Sequence, residues 1–195
     1  MIRISGGLAR GIPLKVTKSK LLRPATEANR ERLFSSISQS LRETRVLDLF
    51  AGSGSYGLEA LSRGAKHVHF VENNGKIFRD LKQNFEKVKK SARLIEKSAS
   101  FSNRDVIEFL RQKENTYDLI FLDPPYKDFP KIGNSIFDLL TTHHFVHQDS
   151  LLIHEAPREE VSSFENWKLF KVLGKEKIGA PNFRFYTPEF SASGQ

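Results

Sequence analysis

Four apolar segments of this chain each carry polar residues at their ends, and this pattern limits the possible folds more than any other feature. The segments are 46–50, His67–Val71, 117–122 and 151–154. Stretches with helical periodicity separate them, and strands that alternate with helices form a parallel sheet with helices on both faces. In such a sheet the carboxyl ends of the strands meet at one edge, where ligands bind. The polar residues there are therefore predicted to form one site.

The rest of the C-terminal part fits the same α/β architecture. Helices are expected over 55–62, from Ile77 to about Lys90, over 106–110 and around 136–140, with a weaker strand over 92–95. The tail segments 167–173 and 183–186 predict a hairpin that adds an antiparallel edge to the sheet.

The first 45 residues have a different pattern. Short apolar runs over 2–5 and 12–16, with glycines between them, predict a β-hairpin, and a helix is expected from Thr26 to about Leu41. We therefore divide the chain into a small N-terminal extension, 1–45, and a main domain, 46–195.

A glycine turn follows the first main strand. Residues 52–57 read Gly-Ser-Gly-Ser-Tyr-Gly, which fits G-x-G-x-x-G, and Glu72 stands where a ribose-binding acid is expected. Glycine allows positive φ and close approach of a ligand to the backbone. The pattern alone is compatible with NAD or with a purely structural turn. Asp48, inside the strand, argues against a pyrophosphate and favours a ligand with cationic groups.

The second motif is Asp123-Pro124-Pro125-Tyr126, directly after an apolar strand. The two prolines fix φ and lack N–H groups, so the turn is stiff and presents carbonyl oxygens. The Asp123 carboxylate and the Pro124 carbonyl can both accept from one amino group, and Tyr126 can stack on a planar ring. The motif therefore predicts a receptor for an exocyclic amine on a flat heterocycle; a plain surface loop is the alternative.

Positive charge is concentrated in the N-terminal extension. Residues 1–45 hold ten Lys or Arg and three Glu, whereas the whole chain has a net charge of +8. Such a segment on a nearly neutral body favours a polyanion such as nucleic acid, although a solvated tail is the alternative. The candidate RNA-binding residues are Arg3, Arg10, Lys15, Lys18, Lys20 and Arg23.

Other site classes find little support. The chain has no cysteine, and His143, His144 and His147 lack a third metal ligand nearby, so no metal is expected. No run reaches the roughly 18 apolar residues of a membrane span, and the first residues are polar rather than a signal stretch. These features predict a cytoplasmic protein without a membrane partner. Glu155 is compatible with either a structural or a pocket-lining position.

Taken together, "VLDLFAGSGSYGLEAL", "FVE" and "DLIFLDPPY" resemble the motifs of S-adenosylmethionine-dependent amino-methyltransferases. With "RISGGLARGIPLKV" and "RPATEANRERLF", the chain is similar to the RsmD-like bacterial methyltransferases of guanine N2 in 16S ribosomal RNA. The resemblance implies a Rossmann-like methyltransferase fold, S-adenosylmethionine as cofactor, and a monomer that acts on 16S ribosomal RNA within a small-subunit particle or assembly intermediate.

The resemblance also implies roles for individual residues. Those expected to bind the cofactor are Asp48, Phe50, Ala51, Gly52, Ser53, Gly54, Glu72, Asn73, Asp105 and Asp123. Glu72 would accept hydrogen bonds from the ribose hydroxyls, and Asp105 would bind the adenine amino group. Residues 123–126 would hold the target base and form the catalytic turn. Gly57 is interpreted as a helix-packing glycine.

Three alternative functions remain open. A DNA adenine-N6 or cytosine-N4 methyltransferase would use the same turn, but 195 residues leave no evident target-recognition domain. An NAD-linked oxidoreductase explains only the glycine turn and Glu72. A non-catalytic RNA-binding module explains only the basic segment.

Overall fold

The computed structural model describes residues 2–16, 27–37, 41–112, 115–157, 163–174 and 181–190. Its strands are β1 Ile2–Arg3, β2 Pro13–Leu14, β3 Arg45–Leu49, β4 His67–Val71, β5 Ala99–Ser102, β6 Leu119–Leu122, β7 Leu151–Pro157, β8 Trp167–Leu173 and β9 Pro181–Pro188. Its α-helices are α1 Glu27–Ser36, α2 Ser55–Ser62, α3 Gly75–Ala92, α4 Val106–Leu110 and α5 Phe129–Thr142. A short 3₁₀ helix covers Glu96–Ser98.

Seven strands form the main sheet in the order β5-β4-β3-β6-β7-β9-β8. The first five strands in that order are parallel, and β9 and β8 add the antiparallel edge. Strands β1 and β2 form a separate antiparallel pair. The predicted α/β class, with its mostly parallel sheet, antiparallel C-terminal edge and small N-terminal hairpin, is confirmed.

Side chains alternate between two hydrophobic layers because the central strands are buried on both faces. Val46 and Phe121 belong to the layer that holds α1, α2 and α3, whereas Leu47 and Ile120 belong to the layer that holds α4 and α5. The helices therefore cover both faces of the sheet, as predicted.

One predicted strand is wrong. Residues 92–95 are not a strand: α3 continues to Ala92, and Arg93 ends it in the left-handed conformation with φ 55°. The fifth strand of the parallel set is Ala99–Ser102, which lies half-buried at the sheet edge. Its sequence, Ala-Ser-Phe-Ser, has little apolar signal, whereas Ile95, which is apolar, is 69% exposed.

The N-terminal elements are shorter than predicted. The hairpin strands contain two residues each, and α1 ends at Ser36; Thr26 and residues 38–40, which the helix prediction included, lie outside the described residues. Within the described parts of the chain, no helix is long and apolar enough to cross a membrane.

Candidate active site

The site lies where β3, β4 and β6 end beside one another. Leu49 pairs with both Val71 and Leu122 in the parallel registers, so Phe50, Glu72 and Asp123 follow at neighbouring positions on one edge of the sheet. Strand β4, which follows β3 in sequence, lies on one side of β3, and β6, which comes later in the chain, lies on its other side. Such a reversal of strand order opens a crevice at the carboxyl ends of the strands.

The glycine turn after β3 is a rigid structure. Phe50, Gly52 and Gly54 have φ of 59°, 55° and 80°. A methyl group at Gly54 would stand 2.3 Å from Leu81 Cδ1, so both the conformation and the available space require glycine there. Within the turn the Gly54 N–H donates to the Ala51 carbonyl at 2.7 Å, and the Ser53 carbonyl accepts from Asn84 Nδ2 at 3.0 Å. The positive φ of Phe50 is costly for a residue with a Cβ, and Phe50 is the residue of this turn that lines the cavity.

Asp48 connects β3 to the start of α2. Its Oδ2 accepts from the Gly57 N–H at 2.9 Å, and the side chain is buried. Burial raises the pKa of Asp48 to about 8, the hydrogen bond from Gly57 lowers it, and the charge of Glu72 raises it. The residues that line the cavity do not include Asp48, so it supports the turn from within the strand.

Gly57 packs the helix against the sheet, in agreement with its interpretation from the sequence. A Cβ at this position would stand 2.3 Å from Phe70 Cε1 and 2.7 Å from Val68 Cγ1, both on β4. The third glycine of the pattern therefore allows close approach between α2 and β4.

Glu72 fastens the glycine turn to the end of β4. Its Oε2 accepts from the Gly52 N–H at 2.9 Å, and its Oε1 accepts from the Asn74 N–H at 2.8 Å. Each carboxylate oxygen still has a lone pair that can accept from a hydroxyl group. Asn103, which no sequence motif indicated, donates from Nδ2 to the carbonyls of Glu72 at 2.7 Å and Asn73 at 3.1 Å.

A cavity of about 390 Å³ brings many of the predicted residues together. Its lining consists of Phe50, Glu72, Asn73, Asn74, Ile77, Asp105, Asp123, Pro125, Asp128, Lys131 and Ile132. Four of these are acids and one is a cation, so the lining favours a ligand that carries hydrogen-bond donors or positive charge. The cavity connects the end of β4, the start of α4 and the turn after β6.

Asp105 begins helix α4 as its N-cap. Its Oδ1 accepts from the N–H groups of Ile107 at 2.8 Å and Glu108 at 3.2 Å. Both capping bonds fall on one oxygen, so Oδ2 can accept a donor from a ligand in the cavity.

The turn at residues 123–126 leads from β6 into α5. The Pro125 carbonyl accepts from the N–H groups of Asp128 at 2.9 Å and Phe129 at 3.3 Å, which fixes the exit of the turn. Pro124 is buried, Asp123 and Pro125 line the cavity, and Tyr126 is 37% exposed. Burial raises the pKa of Asp123 well above its usual value, and the charges of Glu155 and Asp48 raise it further.

Two buried acids near the site lie outside its lining. Glu155 on β7 accepts a hydrogen bond from the Tyr56 hydroxyl. Glu59, in the middle of α2, accepts from Ser5 and Gly6 of the N-terminal hairpin and from Arg63 Nε at 2.8 Å. The sequence patterns did not predict a role for Glu59, although an acid on an otherwise largely apolar helix is a signal that could have indicated one.

The predicted RNA-binding cations differ in their surroundings. Arg3 Nη1 donates to the Gly11 carbonyl at 3.1 Å, and Arg10 is exposed on the hairpin. Lys15 Nζ pairs with Asp80 Oδ1 at 2.7 Å, so part of its charge is compensated. Lys18, Lys20 and Arg23 lie outside the described residues.

Comparisons with known proteins cover nearly the whole chain. The family described as "Conserved hypothetical protein 95" matches residues 2–187. Ribosomal RNA small subunit methyltransferase D of Haemophilus influenzae is 34% identical over 188 residues, which cover 95% of this chain and 93% of that protein. The protein of the same name from Escherichia coli strain K12 is 32% identical over 191 residues, with 96% and 90% covered.

The fold is also similar to a solved structure described as "Putative methyltransferase yhhF from Escherichia coli". The TM-score is 0.82 at 31% identity, and the match covers 97% of this chain and 99% of that one. This similarity confirms the Rossmann-like methyltransferase fold that the sequence motifs implied.

Proposed function

Because the chain belongs to the conserved hypothetical protein 95 family and is similar to two proteins named ribosomal RNA small subunit methyltransferase D, we propose that it is an S-adenosylmethionine-dependent methyltransferase of ribosomal RNA. Its target is the exocyclic N2 amine of a guanine in 16S ribosomal RNA. The observation that carries this proposal is the position of Asp123 and Pro125, on the same cavity as Glu72 and Asp105.

The cavity fits the cofactor. Glu72 offers two carboxylate oxygens that could accept from the ribose hydroxyls, and Asp105 keeps one oxygen that could accept from the adenine amino group. Phe50 and Ile77 supply apolar wall on which a purine can pack. Phe50, directly before the glycine turn, lines the cavity, whereas residues 51–54 are buried and are not among the lining residues.

When bound, S-adenosylmethionine supplies a sulfonium methyl group that leaves without the electron pair of its carbon–sulfur bond. The protein holds the target amine. Two acceptors, the Asp123 carboxylate and the Pro124 carbonyl, would bind its two hydrogens and draw its lone pair out of conjugation with the guanine ring. Positioning of this kind accounts for much of the acceleration in two-substrate reactions. After the new nitrogen–carbon bond forms, the nitrogen loses one proton, which Asp123 can accept.

RNA is bound by the N-terminal extension in this proposal. Residues 1–45 act as the RNA-binding extension of the methyltransferase domain at 46–195. The side chains of Arg3, Arg10 and Lys15 contact phosphate groups of the RNA. The guanine must leave its stack to reach Asp123, and the exposed ring of Tyr126 can stack on it. A monomer that acts in the cytoplasm on a small-subunit particle or assembly intermediate is consistent with this arrangement.

Tritiated methyl transfer tests the proposal. The substrates are 30S particles and 16S ribosomal RNA from a strain that lacks the endogenous enzyme, with duplex DNA as a third substrate. We expect incorporation into ribosomal RNA and methylguanosine modified at N2 after nuclease digestion. Incorporation only into DNA, or none by a protein that binds S-adenosylhomocysteine, contradicts it.

The variant Asp123→Ala separates catalysis from RNA binding. We expect RNA affinity to persist and turnover to fall by about a thousandfold, the loss typical of one essential polar group. Asp149→Ala is the matched control, because it makes the same change on an exposed aspartate that precedes β7 at the opposite edge of the sheet. Full cellular function of Asp123→Ala would indicate a binding module instead of an enzyme.

A further inference from the structure

A second carboxyl group lies beside Asp123 on the next strand. His154 of β7 pairs with Leu122 of β6, so Glu155 and Asp123 occupy adjacent positions across the parallel pair. Phe121 and Ile153, two residues earlier in each strand, belong to the same hydrophobic layer. Because side chains two residues apart point to one face, Glu155 and Asp123 face the same side of the sheet. Glu155 is buried, with 3% of its surface exposed.

Tyr56 holds Glu155 from the helix that follows the glycine turn. Its hydroxyl donates to Glu155 Oε2, and its ring stacks on Phe121 with 5.2 Å between ring centroids. Tyr56 stands in the first turn of α2 and is itself buried. The hydroxyl therefore links the cofactor side of the site to the strand that neighbours the target-base turn.

Arg30 of α1 places a buried positive charge near Glu155. Its Nη2 donates to the Arg3 carbonyl, and its Nε lies 3.6 Å from Glu59 Oε2. Among the described residues, Nε and Nη1 have no hydrogen-bond partner. The positive charge of Arg30 lowers the pKa of Glu155, which burial raises to about 7. On the other neighbouring strand, β9, the residue opposite Glu155 is the apolar Phe183.

We propose that Glu155 is a positioning residue that acts through Asp123: its charge makes the Asp123 carboxylate a better acceptor for the proton that the methylated amine releases. This inference rests on the proposed function. The proton leaves the amine nitrogen, forms an O–H bond on Asp123 and passes to water, so the carboxylate is regenerated. The Tyr56 hydroxyl and the positive charge of Arg30 both lower the pKa of Glu155 and so oppose the effect of its burial.

The test compares Glu155→Gln and Tyr56→Phe with the wild-type protein. Glu155→Gln removes the neighbouring charge and keeps the side-chain size, whereas Tyr56→Phe keeps the ring on Phe121 and removes only the hydroxyl. Glu189→Gln is the matched control, because it makes the same chemical change on an exposed residue just after β9, at the opposite edge of the sheet. Two quantities are measured: the Asp123 titration by carboxyl ¹³C NMR in the free protein, and kcat against pH.

In Glu155→Gln we expect Asp123 to titrate at lower pH and the acidic limb of the kcat profile to move in the same direction. Because a weaker base accepts a proton less readily, the plateau kcat should fall by about tenfold, with KM for RNA unchanged. Tyr56→Phe should shift both quantities the same way by less, since Glu155 without its donor is harder to ionise. Glu189→Gln should change neither.

An unchanged Asp123 titration in folded Glu155→Gln overturns the inference. If that variant does not fold, Tyr56→Phe carries the test, and an unchanged titration there overturns it equally. These outcomes differ from failure of the proposed function, which appears as a wild-type protein that methylates no ribosomal RNA. The NMR titration reports on the pair of carboxyl groups whether or not RNA is methylated.

Discussion

The carboxylate of Glu59 accepts from both the backbone N–H of Ser5, at 2.7 Å, and the Ser5 hydroxyl, at 2.8 Å. Residue 5 belongs to the basic hairpin, and residue 59 lies on the helix that begins at the glycine turn. The segment proposed to bind RNA is thus attached to the same helix as the segment proposed to bind the cofactor.

Glu59→Gln tests the strength of this attachment. The variant leaves the buried Arg30 without its full countercharge, and breaking a buried ion pair typically costs about 3 kcal/mol. We expect the free energy of unfolding, measured with urea, to fall by about that amount. Glu31→Gln, an exposed residue on α1, serves as control and should be nearly neutral. Equal stability of the two variants would contradict a structural role for Glu59.

Gly57→Ala tests the packing role of the third glycine. The added methyl group meets Phe70 Cε1 at 2.3 Å, and overpacking of this kind costs about 2 kcal/mol. Gly75→Ala is the control, since its Cβ would lie 3.6 Å from Asn103 Oδ1, an ordinary contact. Thermal denaturation should show a lower Tm for Gly57→Ala alone. A Tm equal to that of the wild-type protein would mean that α2 can move away from β4 at little cost.

Asp48→Asn tests the effect of the buried carboxyl group on stability. The folded protein raises the pKa of Asp48 from 3.8 to about 8, so it binds the proton more tightly than the unfolded chain. The stability contributed by Asp48 is therefore complete below pH 3.8 and is lost as pH rises to about 8. We therefore expect the unfolding free energy of Asp48→Asn, relative to that of the wild-type protein, to increase as pH rises across this range. Urea titrations at several pH values measure the difference; a difference independent of pH contradicts the expectation.

Glu72→Gln tests the ribose site. Hydrogen bonds to a charged acceptor contribute about 1.5–3 kcal/mol, so Kd for S-adenosylhomocysteine should rise roughly tenfold to a hundredfold in calorimetry. Glu165→Gln, an exposed acid outside the cavity lining, should bind like the wild-type protein. Parallel titrations with NAD should show no binding. Tight NAD binding without S-adenosylhomocysteine binding would support the oxidoreductase alternative.

Arg10→Ala tests RNA binding by the hairpin. Each phosphate contact releases counterions, so loss of one should weaken binding and reduce the slope of log Kd against log salt by about one. Lys15→Ala is the comparison, and a smaller effect is expected because Asp80 already pairs with Lys15. Fluorescence polarisation with a 16S ribosomal RNA fragment at several salt concentrations measures both. Equal slopes in all three proteins would place the RNA elsewhere.

The parallel core could be predicted because its strands are buried on both faces and so read as continuous apolar runs. β6, with all four residues buried, is the clearest example. The edge strand β5 could not be predicted, because a half-buried strand requires few apolar residues, and Phe101 is the only large apolar residue in β5. Tertiary packing decides such an edge.

The residues that face the ligand were easier to predict than those that support them. Glu72 and Asp123 follow apolar strands, and that position is visible in the sequence. Arg30 has no such signal: on a basic segment it looks like a surface cation, yet it is fully buried. Asn103 likewise acts through two backbone carbonyls that only the fold brings within reach.

The hydrogen bond between Tyr56 and Glu155 joins residues 99 positions apart, and this separation bears on how the protein is made. On the ribosome, β3, α2 and β4 emerge early and can pair with one another at once. Glu155 is synthesised about a hundred residues after Tyr56. Until β6 is made, the edge of β3 that will pair with it remains unpaired. A chain released before β7 would carry every residue of the cavity lining but would lack Glu155 and leave the β7-facing edge of β6 unpaired.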